Sequence, residues 1–201
     1  CLTVPDISNY QIAYADKYST DLTTVLNTPF KIAVLPVFCD NPSMENYDSI
    51  IESINFDQFD LVILTGGNDM PDIQTWRNNH YPLRDTFERK LITECELLKI
   101  PLIGICRGQH FLNYVSGGTH HLMPNPYDNV RIELEPFPVT CHHSIEIDQL
   151  APDFETLLKD SAGVKELIIN RKARQLGIGW HPERAVNAHT RKYLLDIIND
   201  L

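Results

Sequence analysis

Three short apolar runs frame the chain. Ile32 to Phe38, Asp60 to Thr65 and Pro101 to Ile105 are dominated by Ile, Leu and Val, with little polar alternation. That pattern predicts strands covered on both faces, as in a parallel sheet. Between the runs the period lengthens. Tyr14, Tyr18, Leu22 and Leu26 fall four apart and stop at Asn27-Thr28-Pro29. Phe87, Leu91, Cys95 and Leu98 line one side of Arg84 to Lys99, whose other sides carry Asp85, Glu88, Arg89, Lys90 and Glu94. Both segments predict amphipathic helices. A first strand is expected around Leu2 to Ile7 and a short helix around Tyr47 to Ile54.

Beyond Gly117-Gly118 the pattern changes. Pro124 and Pro126 mark an irregular connection, followed by shorter alternating strands at Val130 to Leu134 and Val139 to Ile147. Leu150 to Phe154 begins a surface segment. Glu166 to Asn170 and Leu176 to Trp180 read as two strands around the basic turn Arg171 to Arg174. A last helix carries Tyr193, Leu194, Ile197, Ile198 and Leu201. Buried strands alternating with amphipathic helices predict an α/β fold, and 201 residues fit a single domain over 1–201.

Charge narrows the partners. A formal net charge of -10 and the lack of any basic run argue against nucleic acid and anionic membrane surfaces. No apolar stretch approaches the ~20 residues of a membrane span, and no leader is visible, so a cytoplasmic protein is expected. Cys1, Cys39, Cys95, Cys106 and Cys141 are scattered without CxxC pairs, which disfavours a disulfide framework or a zinc site and fits a reducing compartment. Cys1 at the start reads as a trimmed or processed terminus. An N-terminal nucleophile is the alternative, against which the strand–helix alternation speaks.

The chemistry concentrates at Gly104-Ile105-Cys106-Arg107-Gly108. The strand ending at Ile105 runs into residues at helical spacing, so Cys106 is expected at a strand-to-helix turn made tight by the flanking glycines. Helix N-terminal NH groups favour a thiolate there and can receive an oxyanion. A buried structural cysteine is the bland alternative. Gly66-Gly67-Asn68-Asp69, at the end of the preceding strand, is either an ordinary turn or a second wall of the same site, with Gly66 and Asn68 beside a ligand. His181 and Glu183, two apart after another apolar strand, suit a base and the acid that orients it. His120-His121 and His142-His143 offer no convergent ligand spacing, so no metal is expected.

The motifs GICRGQ, TGGND and GIGWHPER, in this order between Val34 and Arg184, resemble the class I glutamine amidotransferase group, which includes free-standing gamma-glutamyl hydrolases of the peptidase C26 type. The resemblance implies a flavodoxin-like three-layer α/β sandwich and a Cys106, His181, Glu183 triad. It also implies an oxyanion hole from the backbone NH groups of Gly67 and Arg107, and a role for Gln109 in holding the gamma-glutamyl moiety. Val139 to Ser144 corresponds to a histidine-containing strand of the family, which puts His142 and His143 at the substrate or makes one of them the base. Neither metal nor organic cofactor is implied. Two activities follow: hydrolysis of a gamma-glutamyl amide through a glutamyl thioester, which the CRG form at Cys106 to Gly108 favours, or a glutaminase passing ammonia to a synthase partner. A silent binding module, or a protease or chaperone on a related fold, is the reading from another class.

Overall fold

The structure, a computed structural model, describes residues 32–35, 54–184 and 188–201. The strand and helices expected at Leu2 to Ile7, Tyr14 to Leu26 and, all but its last residue, Tyr47 to Ile54 lie outside the described residues. The central sheet contains β1 (Ile32–Leu35), β2 (Leu61–Leu64), β3 (Leu102–Ile105), β6 (Glu155–Lys159), β7 (Lys165–Asn170) and β8 (Gln175–Ile178), in the order β1-β2-β3-β8-β7-β6. β1, β2, β3 and β8 are parallel, whereas β7 and β6 run antiparallel at one edge. α1 (Pro82–Leu98) links β2 to β3, α2 (Arg107–Val115) follows β3, and α3 (Ala188–Asn199) closes the chain. β4 (His120–Leu134) and β5 (Phe137–Ile147) form a separate two-stranded antiparallel sheet.

The apolar runs at Leu61–Leu64 and Leu102–Ile105 are strands buried on both faces because successive side chains leave a strand on opposite sides. Val62, Leu64 and Leu102 pack with Phe87, Leu91 and Cys95 of α1 and with Phe111 and Leu112 of α2. Leu61, Ile63, Ile103 and Ile105 turn the other way, toward Leu194 and Ile198 of α3 and Leu134, Phe137 and Val139 of the β4–β5 hairpin. This makes three layers. Each fully buried Leu or Ile contributes about 1.5–3 kcal/mol.

Register places the functional loops. Leu64 pairs with Gly104, Gly104 with Gly177, and Ile105 with Ile178. The carboxyl ends of β2, β3 and β8 therefore stop level with one another. The segments that follow them, starting at Thr65, Cys106 and Gly179, leave the sheet at one edge, where open α/β sheets bind ligands.

Four local expectations need correction. The connection at 120–129 is strand, not irregular coil: two register shifts, between Leu122 and Tyr127 and between Tyr127 and Val130, absorb Pro124 and Pro126 on this largely exposed strand. A strand also exists at Glu155–Lys159, where a half-exposed edge position leaves little hydrophobic signature. Ala151 and Phe154, within the expected surface segment, are buried. Asp85 and Glu88 of α1 are buried rather than solvated, because two arginines meet them there.

Candidate active site

Cys106 stands between β3 and α2 with φ 52° and ψ -106°, a left-side conformation rare for a residue with a Cβ. Such a conformation costs on the order of 1–3 kcal/mol and persists only where the surroundings enforce it. Here the Cys106 NH donates to Ile178 O at 2.7 Å. The flanking glycines are a steric requirement: a Cβ on Gly104 would lie 2.3 Å from the Gly108 carbonyl carbon, and one on Gly108 would lie 2.6 Å from Leu64 O. The turn holds the thiol at the first turn of α2, 8% exposed, at the wall of a cleft.

His181 reaches the same point from the end of β8. A Cβ on Gly66 would lie 3.1 Å from His181 Cε1 and 3.5 Å from Cys106 Cβ, so the imidazole and the cysteine converge over Gly66. His181 Nδ1 is 2.6 Å from Glu183 Oε1. Its Nε2 is buried without a hydrogen-bond partner. Burial works against an imidazolium, but the Cys106 thiolate and the Glu183 carboxylate outweigh it and raise the His181 pKa to about 9. Cys106 moves the other way. Burial pushes its thiol up, yet His181, then His143 and the Arg107 NH, bring the net shift below the usual thiol range. The two shifts are mutual: each group favours the charged form of the other, thiolate beside imidazolium.

A buried ionic network fixes the two loops facing the sulfur. Arg84 donates to Gly66 O at 3.3 Å, to Thr65 O at 2.9 Å, to Asn68 Oδ1 at 2.8 Å and to Glu88 Oε1 at 2.7 Å. Arg107 donates to Glu88 and Asp85. Glu88 thus bridges the arginine that holds the Gly66 loop and the arginine that follows Cys106. Burial opposes its charge, but Arg107 and Arg84 keep its carboxyl below the usual range. Because carbonyl and NH point oppositely across a trans peptide, the bonds from Arg84 to Gly66 O turn the Gly67 NH away from Arg84. Asn68, by contrast, spends its amide on Arg84 and on Asp69 O.

The cleft is also lined by His110, His142 and His143. His142 is half-buried, with its carbonyl 3.7 Å from the Cys106 sulfur and its ring centroid 6.4 Å from that of His181. His143 donates from Nδ1 to Ile145 O at 3.0 Å and from Nε2 to Glu166 Oε1 at 3.2 Å. Burial disfavours its charge, but Glu166 outweighs burial and raises the pKa. Glu166 also meets Cys141, whose thiol is pushed up by burial first and by Glu166 second. The ligand atoms of Cys141, His143 and Glu166 lie within 4.8 Å of one another, a spacing a metal can use. His143 already spends both ring nitrogens, and Cys141 is held as the thiol, the form that does not ligate.

Gln109 is not part of this cleft. Its side chain turns into the sheet, donates to Lys165 O at 3.1 Å and packs under Gly177 and Gly179. The next residue on α2, His110, takes the cleft-facing position and was not singled out from the sequence. It is 2% exposed with neither ring nitrogen partnered, and burial, with His120, His143 and Arg107 around it, holds it neutral. One residue along α2 turns the side chain by about 100°, so the two residues cannot share a face, and the sequence pattern leaves open which of them meets the cleft.

A mostly parallel sheet bearing these loops at one edge has the class I glutamine amidotransferase fold. The chain belongs to the Peptidase C26 family, whose sequence model matches residues 31–133. It is 30% identical over 132 residues to the gamma-glutamyl-CDP-amidate hydrolase of Campylobacter jejuni subsp. jejuni, an alignment covering 61% of this chain and 62% of that one. It is 24% identical over 185 residues to the glutamine amidotransferase-like protein YvdE of Lactococcus lactis, covering 76% and 74%. A glutamine amidotransferase structure from Thermotoga maritima superimposes with a TM-score of 0.56 at 20% identity, over 84% of this chain and 81% of that one. No helix among the described residues is long and apolar enough to cross a membrane.

Proposed function

We propose that the protein hydrolyses a gamma-glutamyl amide with Cys106 as nucleophile, His181 as acid and base, and Glu183 as the residue that orients His181. The observation that carries this reading is the convergence of Cys106 and His181 over Gly66, with Glu183 on the far imidazole nitrogen. The thiolate attacks the amide carbon. The resulting oxyanion is received by the backbone NH groups of Gly67 and Arg107, the first presented by the hold of Arg84 on Gly66 O. The His181 imidazolium donates its Nε2 proton to the leaving nitrogen, and the carbon–nitrogen bond breaks to leave a glutamyl thioester. Neutral His181 then takes a proton from water, the hydroxide attacks the thioester, and glutamate leaves as the thiolate reforms. His110, with one donor and one acceptor nitrogen unspent at the floor of the cleft, is the group proposed to hold the glutamyl moiety, the role the sequence assigned to Gln109.

The similarity to a protein named as a gamma-glutamyl-CDP-amidate hydrolase favours direct hydrolysis. A glutaminase that supplies ammonia to a synthase is the second reading, favoured by matches to an aminodeoxychorismate synthase and a GMP synthase, each aligned over 18% of its length. Glutamate release by the purified protein, from glutamine and from a panel of gamma-glutamyl amides, separates them. Release from one conjugate well above that from glutamine, lost in Cys106→Ala, is expected. Release from glutamine alone would establish the second reading, and release undiminished in Cys106→Ala would remove the first.

A further inference from the structure

The leaving side of the cleft has a direction. His181 donates to the departing nitrogen, so the amine product leaves past His181, and the next ring on that side is His142, 6.4 Å away. Beyond it stands Arg77, on the loop that covers the sheet edge, with its Nη2 3.0 Å from His142 Nε2 and its guanidinium 5.4 Å from the centre of the Trp76 ring. Arg77 lines the cleft with Cys106, yet no carboxylate among the described residues lies within ion-pair distance of it. Arg184, one turn after His181, is exposed and meets only Asn129 Oδ1, at 3.5 Å, among the described side chains.

The acids nearby do not neutralise this rim. Asp69 has both oxygens engaged by Thr75 and Asn79. Asp128 is 89% exposed and lies 3.1 Å from the opposite ring nitrogen of His142, Nδ1. His142 itself stays neutral, since burial first and then Arg184 and Arg77 lower its pKa; a neutral ring can accept from Arg77 at Nε2. The Arg77 guanidinium therefore meets one uncharged histidine at the wall of the cleft, in a chain of net charge -10. Guanidiniums bind carboxylate and phosphate oxygens in paired, charge-assisted hydrogen bonds, and a cationic rim in an acidic chain concentrates anions locally.

We propose that this rim is an anion subsite for the leaving group: Arg77 receives a carboxylate or phosphate on the amine product, so the substrates are gamma-glutamyl amides of anionic amines. The inference rests on the assignment of Cys106 and His181 above, which gives the cleft its direction.

Two alkylating agents of similar size test the subsite without turnover. Iodoacetate is anionic and iodoacetamide neutral, and the ratio of their rates at Cys106, followed by mass spectrometry, reads the anion preference of the cleft. Arg77→Gln is expected to lower that ratio by about threefold or more, an effect that fades with added salt, whereas Arg171→Gln, on a distant exposed ion pair with Glu155, leaves it unchanged. Inorganic phosphate and acetate, added separately, are expected to slow iodoacetate in the wild type, and the stronger competitor identifies the preferred anion. An unchanged ratio in Arg77→Gln overturns the subsite whatever the turnover result. Turnover is read in parallel with gamma-glutamyl-3-carboxy-4-nitroanilide and gamma-glutamyl-4-nitroanilide. Preference for the carboxylated substrate, lost in Arg77→Gln, is expected, and equal kcat/KM for both in the wild type would contradict the subsite. No release from either substrate, with the labelling ratio still dependent on Arg77, would overturn the hydrolase reading and leave the anion site standing.

Discussion

Among the described residues two clusters bring cysteine, histidine and glutamate together, and the proposed attack on a carbonyl uses one of them. In the first, Glu183 holds His181 at Nδ1, and Nε2 is left without a partner while the ring converges with Cys106 over Gly66. In the second, Glu166 meets both His143 and Cys141, and His143 turns its remaining nitrogen to Ile145 O. Backbone position adds to the contrast. Cys106 caps a helix in a strained turn, where NH groups favour the thiolate, whereas Cys141 is fully buried in the middle of β5, where burial and the adjacent carboxylate favour the thiol. Residue composition does not make a nucleophile; the order of the three groups and the field around the sulfur do. The second cluster still has an effect, because the His143 charge contributes to lowering the Cys106 pKa.

Exchange of each cysteine gives the largest separation between the clusters. Cys106→Ala is expected to reduce glutamate release by at least about 10⁴-fold with the thermal midpoint little changed, and Cys141→Ser by less than about tenfold. Comparable losses in the two variants would erase the distinction. The histidines come next. His181→Asn is expected to cost about 10³-fold in kcat/KM, whereas His143→Asn, which removes an electrostatic contribution at the sulfur together with the bond to Glu166, should cost about tenfold. A larger effect at His143 would make it the base.

The smallest effect is also the most diagnostic of order within the first cluster. His181 is protonated below a pKa of about 9, so activity that needs its proton should fall as pH rises through that value. The same raised pKa contributes folding stability that is full below the ordinary histidine value and is lost as pH rises through about 9. Glu183→Gln removes a carboxylate that favours the imidazolium, and is expected to lower kcat/KM by about 10²-fold and shift the alkaline limb to lower pH. An alkaline limb that stays in place in Glu183→Gln would show that Glu183 does not act on His181.

Much of this was legible in the amino-acid order because the signals are local. The apolar runs at Leu61 to Leu64 and Leu102 to Ile105 are buried strands, and Gly104 before Cys106 reports a steric limit against Gly108, within five residues. What escaped depends on contacts distant in sequence. Glu88 looks like one more charge on a solvated helix face until Arg107, 19 residues away, is placed beside it. Glu166 looks like the start of a strand until β5 brings His143 to it from 23 residues away. Neighbouring histidines on a strand do face apart, as expected, but residues 141 and 143 share a face, and the third member of their cluster comes from another sheet. Gln109 and His110 differ by one helical step, and only the placed helix decides which one turns to the cleft.

The measurement that bears most directly on the contrast is the pH dependence of iodoacetamide labelling at Cys95, Cys106 and Cys141, resolved by peptide mass spectrometry in the native protein. Cys106 is expected to react fastest at neutral pH and to lose reactivity only below the ordinary thiol pKa. Cys95 and Cys141, both raised by burial and nearby acids, should stay unlabelled until the protein unfolds. Equal labelling of Cys106 and Cys141 at neutral pH, or a Cys106 profile that rises only at the ordinary thiol pKa, would contradict the activated thiolate on which the proposed chemistry depends.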